Sequence, residues 1–346
     1  MTRVSVIATV RNEAGTVGAL LESLERQSVR DFETVVVDGG STDGTLELLR
    51  EHARRCPSLR VVEAPGANIA SGRNRAIEAA RGDVILATDA GVELPPDWVA
   101  RLSRPLLESS ELDVVGGFFA SAPQSTFEFA LGSTTLPLVD EVRPAAFNPS
   151  SRSVAFRRSA WEAAGRYPEW LDYCEDLWFD FELRRRGQRI GFEPAACVAF
   201  RPRGSLGAFF RQYFRYARGD GKARILLRRH AIRYAAYAFL AAALLTRRRP
   251  LLAPAALGGL AYCWRPWRRV VRTRRRFAWL GGPELAQAIA WVPALRVVGD
   301  VAKMSGFPLG LLWSLRRPRA NAASRQAGAA GPSINHQPST INPRTE

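Results

Sequence analysis

The 346-residue chain is 47% hydrophobic, which supports a real core and leaves room for one large α/β domain or two smaller ones. Its formal net charge of +16 is regional: residues 1 to 200 carry 22 Lys+Arg against 29 Asp+Glu, and residues 201 to 319 carry 25 against 3. An acidic half followed by a basic, apolar half turns the second half toward an anionic surface. The arginines bracket long apolar stretches and do not line a recognition helix, so phospholipid fits better than nucleic acid. Cys56, Cys174, Cys197 and Cys263 are scattered without paired spacing, so neither a zinc site nor a disulfide framework is indicated, which fits a reducing compartment.

Arg3 to Val10 (RVSVIATV) predicts the first strand, with Arg11-Asn12-Glu13 as the loop at its C-terminal end. A start this direct predicts no signal peptide and a cytoplasmic first domain. Gly15 to Arg26 places Val17, Leu20, Leu21 and Leu24 on one helical stripe. Glu33 to Asp38 predicts the second strand. Its run of valines, Val35 to Val37, suits a strand buried on both faces, as in a parallel sheet. Asp38 ends that strand at the mouth of the crevice where open α/β sheets bind ligands. Gly39 and Gly40 let the backbone approach a ligand, and Ser41 or Thr42 can cap a helix from Thr42 to Arg54. The same residues also read as an ordinary strand–turn–helix corner with Asp38 and Asp43 as turn residues.

Leu59 to Val62 is a short third strand and Ala70 to Arg81 a third helix. Asp83 to Ala87 is a fourth strand ending at Thr88-Asp89, Pro95 to Leu107 a helix with prolines in its first turn, and Asp113 to Phe118 a fifth strand. This alternation predicts a mostly parallel sheet with helices on both faces. Glu13, Asp38 and Asp89 then fall at strand ends and converge on the crevice. Neither GxGxxG nor GxxxxGK[ST] is present. Carboxylates suit ribose hydroxyls, base N–H groups and a divalent cation bridging to phosphate.

On these residues the chain resembles a family 2 glycosyltransferase with the GT-A fold, a nucleotide-sugar-binding, Rossmann-like sheet, over about residues 1 to 220. The matching pieces are VSVIATVRNE, VVVDGGSTDGT, SGRNRAI, ATDAGVELPPDW, GRYPEWL, the triplet Cys174-Glu175-Asp176, and RQYFRY, in that order. The resemblance implies that Glu13 and Asp38 contact the nucleoside of a UDP- or GDP-sugar, with Arg73 and Asn74 near the base or diphosphate. It places Asp89 at the DxD metal position, where this chain departs from the pattern and reads Asp89-Ala90-Gly91. A divalent cation, Mg²⁺ or Mn²⁺, would therefore rest on Asp89, diphosphate oxygens and water. Ser150 to Arg158 resembles the strand that flanks the donor sugar, and Trp161 to Tyr167 is a short helix closed by Gly165.

The resemblance assigns the general base to Asp176, with Glu175 positioning a neighbour or the acceptor. Two adjacent carboxylates raise one pKa toward that of a useful base, although acids at a helix N-terminus are also simple dipole partners. Gln212, Arg215 and Tyr216 match a QxxRW pattern with Tyr for Trp, offering an acceptor platform and a diphosphate partner. An amphipathic helix from Leu206 to Arg218 with aromatic residues inside explains them equally.

In the basic half, Ile232 to Thr246 and Leu251 to Trp264 are apolar runs of 15 and 14 residues. A spanning helix needs roughly 17 to 25. A spanning hairpin would also carry Arg247 to Arg249 across the membrane, against the positive-inside rule. A re-entrant hairpin or interfacial helices avoid the conflict, and a spanning pair lengthened by flanking Tyr and Trp is the open alternative. Leu285 to Val298 and Phe307 to Leu315 read as further separate pieces.

The expected organisation is a GT-A domain over 1–220, a basic helical membrane-associated region over 221–318, and a disordered tail over 319–346. The expected function is inverting sugar transfer to a lipid-linked or glycan acceptor in cell-surface polysaccharide or glycolipid synthesis, at the cytoplasmic face of the inner membrane. No nucleic-acid partner is expected. The alternative, motivated by the incomplete DxD, is a nucleotide-sugar-binding scaffold with weak turnover.

Overall fold

The computed structural model describes residues 4–316; the tail expected from 319 lies outside them. The described chain forms two compact units, one of residues 4–120 and 139–200, the other of residues 121–138 and 201–316.

In chain order the elements are β1 (Val4–Val10), α1 (Val17–Glu25), β2 (Glu33–Asp38), α2 (Thr45–Arg55), β3 (Leu59–Glu63), α3 (Ile69–Ala79) and β4 (Val84–Thr88). Then follow β5 (Val92–Glu93), α4 (Trp98–Glu108), β6 (Val114–Ser121), α5 (Thr126–Thr135), β7 (Val154–Arg157), α6 (Arg158–Ala163), α7 (Glu175–Arg185) and β8 (Ile190–Phe200). Four helices complete the chain: α8 (Leu206–Ala223), α9 (Leu227–Thr246), α10 (Arg249–Thr273) and α11 (Gly282–Arg316).

The first unit is built on a mixed sheet of order β3-β2-β1-β4-β7-β6-β8-β5. Its first four strands are parallel, with Val10 opposite Asp38 and Ala8 opposite Thr88, as the alternation predicted. Beyond β4 the pairing turns antiparallel, with Ile85 opposite Phe156 and Val115 opposite Ala155. Thus the fifth predicted strand joins the sheet through β7, a strand about forty residues later in the chain, and not through β4. Successive strand residues point to opposite faces, and here both faces are covered. Val6, Ala8, Val10 and Val36 pack with α1, α2 and α4 through Leu20, Leu49, Trp98 and Leu102. Ile7, Val35, Val37 and Ile85 pack with α3, α6 and α7 through Ile77, Trp161, Phe179 and Leu183.

In the second unit α11 is one continuous helix where the sequence predicts two pieces. The glycines along it do not break it, because they are the contact surface with α8. A Cβ on Gly306 would lie 2.1 Å from the Phe214 carbonyl oxygen, and one on Gly310 2.0 Å from that of Arg218. Gly299, Ala302, Gly306, Gly310 and Ser314 are all buried at spacings of three and four residues, a small-residue stripe that lets two helix backbones touch. The predicted apolar runs extend into α9 and α10, and Arg247 at a φ of 52° ends α9. Among the described residues, α11 is the one helix long and apolar enough to cross a membrane, with a mean hydropathy of 1.3 and 33% of its apolar window buried.

Because a backbone carbonyl cannot yield to a methyl group, Gly310→Ala is expected to destabilise the second unit by about 1–3 kcal/mol. Gly258, in α10, has nothing within 4 Å of a built Cβ. Gly258→Ala is expected to stabilise by about 0.5–1 kcal/mol. Chemical denaturation of both variants checks the contrast; equal effects would remove the backbone contact from the account.

Candidate active site

Parallel order places the C-terminal ends of β2, β1 and β4 side by side, and the loops after β1 and β2 are laced together. The Asn12 side-chain oxygen accepts from Thr42 N at 2.9 Å, Glu13 N donates to Thr45 Oγ1 at 2.8 Å, and Ala14 N donates to Asp43 Oδ2 at 3.1 Å. Asp43 is thus a turn-former. Asp38 is half turn-former, half free: Oδ1 accepts from Gly40 N and Ser41 N, both at 2.9 Å, with Gly40 in the left-handed region at +92°. Its Oδ2 is buried with no hydrogen-bond partner. An unmet buried acceptor costs about 1–3 kcal/mol, so this oxygen is poised for a donor from a ligand. Glu13 is half-buried in the neighbouring loop, its carboxylate accepting from the Thr16 hydroxyl.

Arg73 and Asn74 enter from α3, both 2% exposed. Arg73 Nη1 donates to Glu175 Oε1 at 2.6 Å and Nη2 to Asp89 Oδ1 at 2.9 Å, and the guanidinium lies over the Tyr167 ring at 5.4 Å. Burial alone would lower its pKa, but the charges on Asp89 and Glu175 outweigh burial and raise it. Asn74 has a different place from the one the resemblance implies. Its Nδ2 donates to Tyr167 O and Glu169 Oε1, both at 2.9 Å, and its Oδ1 accepts from Trp161 Nε1 at 3.1 Å and Tyr167 N at 3.0 Å. That exhausts a side-chain amide, so Asn74 fixes the 161–169 segment and has no hydrogen bond left for a nucleotide.

The carboxylate pair opens α7 behind Cys174, which holds a left-handed φ of 66°. Glu175 is 5% exposed, and burial together with the charge of Asp176 pushes its carboxyl up to about 7 despite the Arg73 ion pair. Asp176 is half-buried, with Oδ1 accepting from Leu177 N at 2.8 Å. One turn on, Asp180 is 3% exposed with Oδ2 unpartnered, and burial and Asp176 raise its pKa well above the usual carboxylate range. Asp180 and Arg152 escaped the sequence reading. Arg152 sits 3.7 Å from Asp89 Oδ2 and lies over the rings of Phe119 at 5.4 Å and Phe200 at 4.8 Å. The available signal was a lone arginine among serines just before the buried strand β7.

Asp89 therefore has a guanidinium at each oxygen, and no second acid stands two residues on. Among the described residues no group of three or more His, Cys, Asp or Glu could hold a metal ion. What the site offers a divalent cation is one quarter-exposed carboxylate, a fit only for an ion whose other ligands come with a diphosphate. Gln212, Arg215 and Tyr216 lie on α8, in the second unit, so the structure does not bring them into the unit that holds these acids. There Gln212 Nε2 donates to Tyr216 OH at 2.9 Å across one helical turn, and Arg215 is exposed.

The model for glycosyl transferase family 2 matches residues 5–164. The succinoglycan biosynthesis protein ExoA of Rhizobium meliloti (strain 1021) is 30% identical over 228 residues, covering 63% of this chain and 68% of that one. The undecaprenyl-phosphate 4-deoxy-4-formamido-L-arabinose transferase of Pseudomonas aeruginosa (strain LESB58) is 34% identical over 131 residues, 36% of this chain and 38% of its own length. Among solved structures, the mannosyltransferase PcManGT from Pyrobaculum calidifontis, in complex with GDP-Man and Mn²⁺, superposes with a TM-score of 0.52 at 21% identity over 87% of each chain. At that identity the likeness is one of fold.

A raised carboxyl makes stability fall with pH. The contribution of Glu175 is complete below its ordinary value of 4.5 and is lost as pH rises through about 7. Glu175→Gln, neutral throughout, should lose that dependence, so its melting temperature should gain on the native protein's across this window. A difference that stays flat with pH would refute the shift.

Proposed function

Since the chain belongs to glycosyl transferase family 2 and is a glycosyltransferase, we propose that it moves a sugar from a UDP- or GDP-sugar to an acceptor hydroxyl by a single, inverting displacement. The observation that carries this reading is the Arg73 bridge, which ties the strand-end acid Asp89 to the helix-start pair Glu175-Asp176 in one buried cluster. Asp38 Oδ2 accepts an N–H or O–H from the nucleoside, beside Glu13. Asp176 takes the proton of the acceptor hydroxyl as its oxygen attacks the anomeric carbon. The bond from that carbon to the diphosphate oxygen breaks, and its electron pair leaves with the nucleoside diphosphate. Arg152, already at Asp89, is the cation suited to the leaving phosphates. A divalent cation bound at Asp89 with the diphosphate would add Lewis-acid charge there.

The acceptor is a lipid-linked sugar or growing glycan. Supporting this are one relative named for succinoglycan biosynthesis and another named for transfer to undecaprenyl phosphate. The helical unit suits a membrane surface: Leu245 is 84% and Leu257 66% exposed on helices flanked by arginines. We place it on the anionic cytoplasmic leaflet of the inner membrane.

Asp176→Asn is expected to lower kcat by about 10²–10⁴-fold while donor affinity is unchanged. Near-native turnover in that variant would move the base elsewhere. Because Asp89 is the single carboxylate offered to a cation, Mn²⁺ alone should not shift the melting temperature, whereas Mn²⁺ with a sugar nucleotide should. Stabilisation by Mn²⁺ without nucleotide would contradict a substrate-completed metal shell.

A further inference from the structure

Helices α8 to α11 gather Arg229, Arg233, Arg296 and Lys303 around two carboxylates, Asp220 and Asp300, so cations outnumber acids. Asp300, 2% exposed in the middle of α11, accepts from Arg233 Nε at 2.8 Å, Tyr262 OH at 2.8 Å and Tyr237 OH at 3.3 Å. Those three bonds engage both oxygens of the carboxylate. Lys303, one turn on, is 3.9 Å from it, beyond hydrogen-bond range, and its ammonium lies over the Tyr213 ring at 4.8 Å. Arg296, one turn before, lies over the Tyr262 ring at 4.2 Å, and its Nε is buried with no hydrogen-bond partner. Of the charges acting on Lys303, Asp300 attracts while Arg233, Arg229 and Arg296 repel. His230 accepts from Arg233 Nη1 at 3.2 Å on Nδ1 and donates from Nε2 to Asp220 Oδ2 at 3.0 Å, so His230 and Asp220 are further titratable neighbours.

Aromatic faces hold cations without cancelling their charge. Clustered cations withdrawn from water are unfavourable unless an anion joins them. The neighbouring positions Val297 and Val301 on α11 are 49% and 43% exposed, so an apolar surface adjoins the cations. We infer that Arg296 and Lys303 form a binding site for a phosphate or diphosphate carried on a lipid chain. Basic pockets between membrane helices take phosphate headgroups in this way. The two sources of that chemistry are an anionic phospholipid and a prenyl-linked substrate; the site itself does not depend on the transferase reading.

The test uses the full-length protein in nonionic detergent, with farnesyl diphosphate as the prenyl probe, and vesicles of phosphatidylcholine with or without phosphatidylglycerol as the phospholipid probe. Binding to the native protein is expected to weaken with salt. It is expected to weaken about tenfold in Arg296→Gln and in Lys303→Gln, the loss of one charge-assisted hydrogen bond. It should persist in Asp38→Asn and Asp89→Asn, which separates this site from the donor site. Dependence seen with farnesyl diphosphate assigns the site to a prenyl carrier, and dependence seen only with phosphatidylglycerol assigns it to a phospholipid headgroup. If Arg296→Gln does not fold, Lys303→Gln and the charge-retaining Arg296→Lys carry the comparison. Absence of binding to the native protein by both probes, or unchanged affinity in the charge-removing variants, overturns the inference. Sugar nucleotides failing to bind while farnesyl diphosphate still does would remove the transferase reading and leave this site standing.

Discussion

The site depends on one buried guanidinium. Arg73 is joined to Asp89 at the end of β4 and to Glu175 at the start of α7, two segments more than eighty residues apart. Without those acids the guanidinium would be an unpaired charge in the interior, which costs about 3–5 kcal/mol. The sequence around Arg73 exists to bring it there. Gly72 lets α3 lie against β1, since a Cβ would fall 2.3 Å from Thr9 Cγ2. Asn74 pins Tyr167, whose ring supports the guanidinium from below. Three consecutive residues therefore do three jobs: close approach, charge, and anchoring of the far segment.

That bridge also explains how α7 can begin with two acids. A helix N-terminus favours negative charge, yet Glu175 is too buried and too near Asp176 to ionise at its usual pH. The left-handed Cys174 sets the entry of the chain and stores strain of about 1–3 kcal/mol, which the ion pair and the packing of Phe179 and Leu183 must hold in place. Glu175 and Asp180 both respond to the charge on Asp176, one in the preceding position and one a turn beyond. Burial and the charge of Asp176 have thus moved Glu175 and Asp180 in the same direction.

Much of this was legible from local pattern. The valines of β2 and the acids at the ends of β1, β2 and β4 follow from periodicity and position along the chain, and the Glu175-Asp176 pair was marked by the family resemblance. What was not legible depends on partners distant in sequence. The antiparallel half of the sheet was hidden because β8 is half-exposed and lacks a continuous apolar run. Asn74 resembled a ligand contact until its four hydrogen bonds were seen to end on protein. The continuity of α11 was hidden because the helix its glycines pack against, α8, lies far earlier in the chain. Arg152 gave no sign of the two phenylalanine rings that hold it.

The regional charge of the chain has a counterpart in how each unit manages its ions. In the first unit, the cations of the site are paired with acids: Arg73 with two carboxylates, Arg152 with Asp89. In the second unit acids are scarce, and rings take their place: Lys222 lies over Trp313, Lys303 over Tyr213 and Arg296 over Tyr262. The difference has physical consequences. An ion pair cancels the field it creates, whereas a cation on a ring keeps its full charge while its apolar stem is buried. The second unit therefore retains an attractive potential for phosphates, and at physiological salt that potential reaches only about 8 Å. A field so short in range cannot collect soluble anions from a distance. It acts on phosphates that are already at hand, as the proposed bilayer contact would supply them beside the apolar residues this unit exposes.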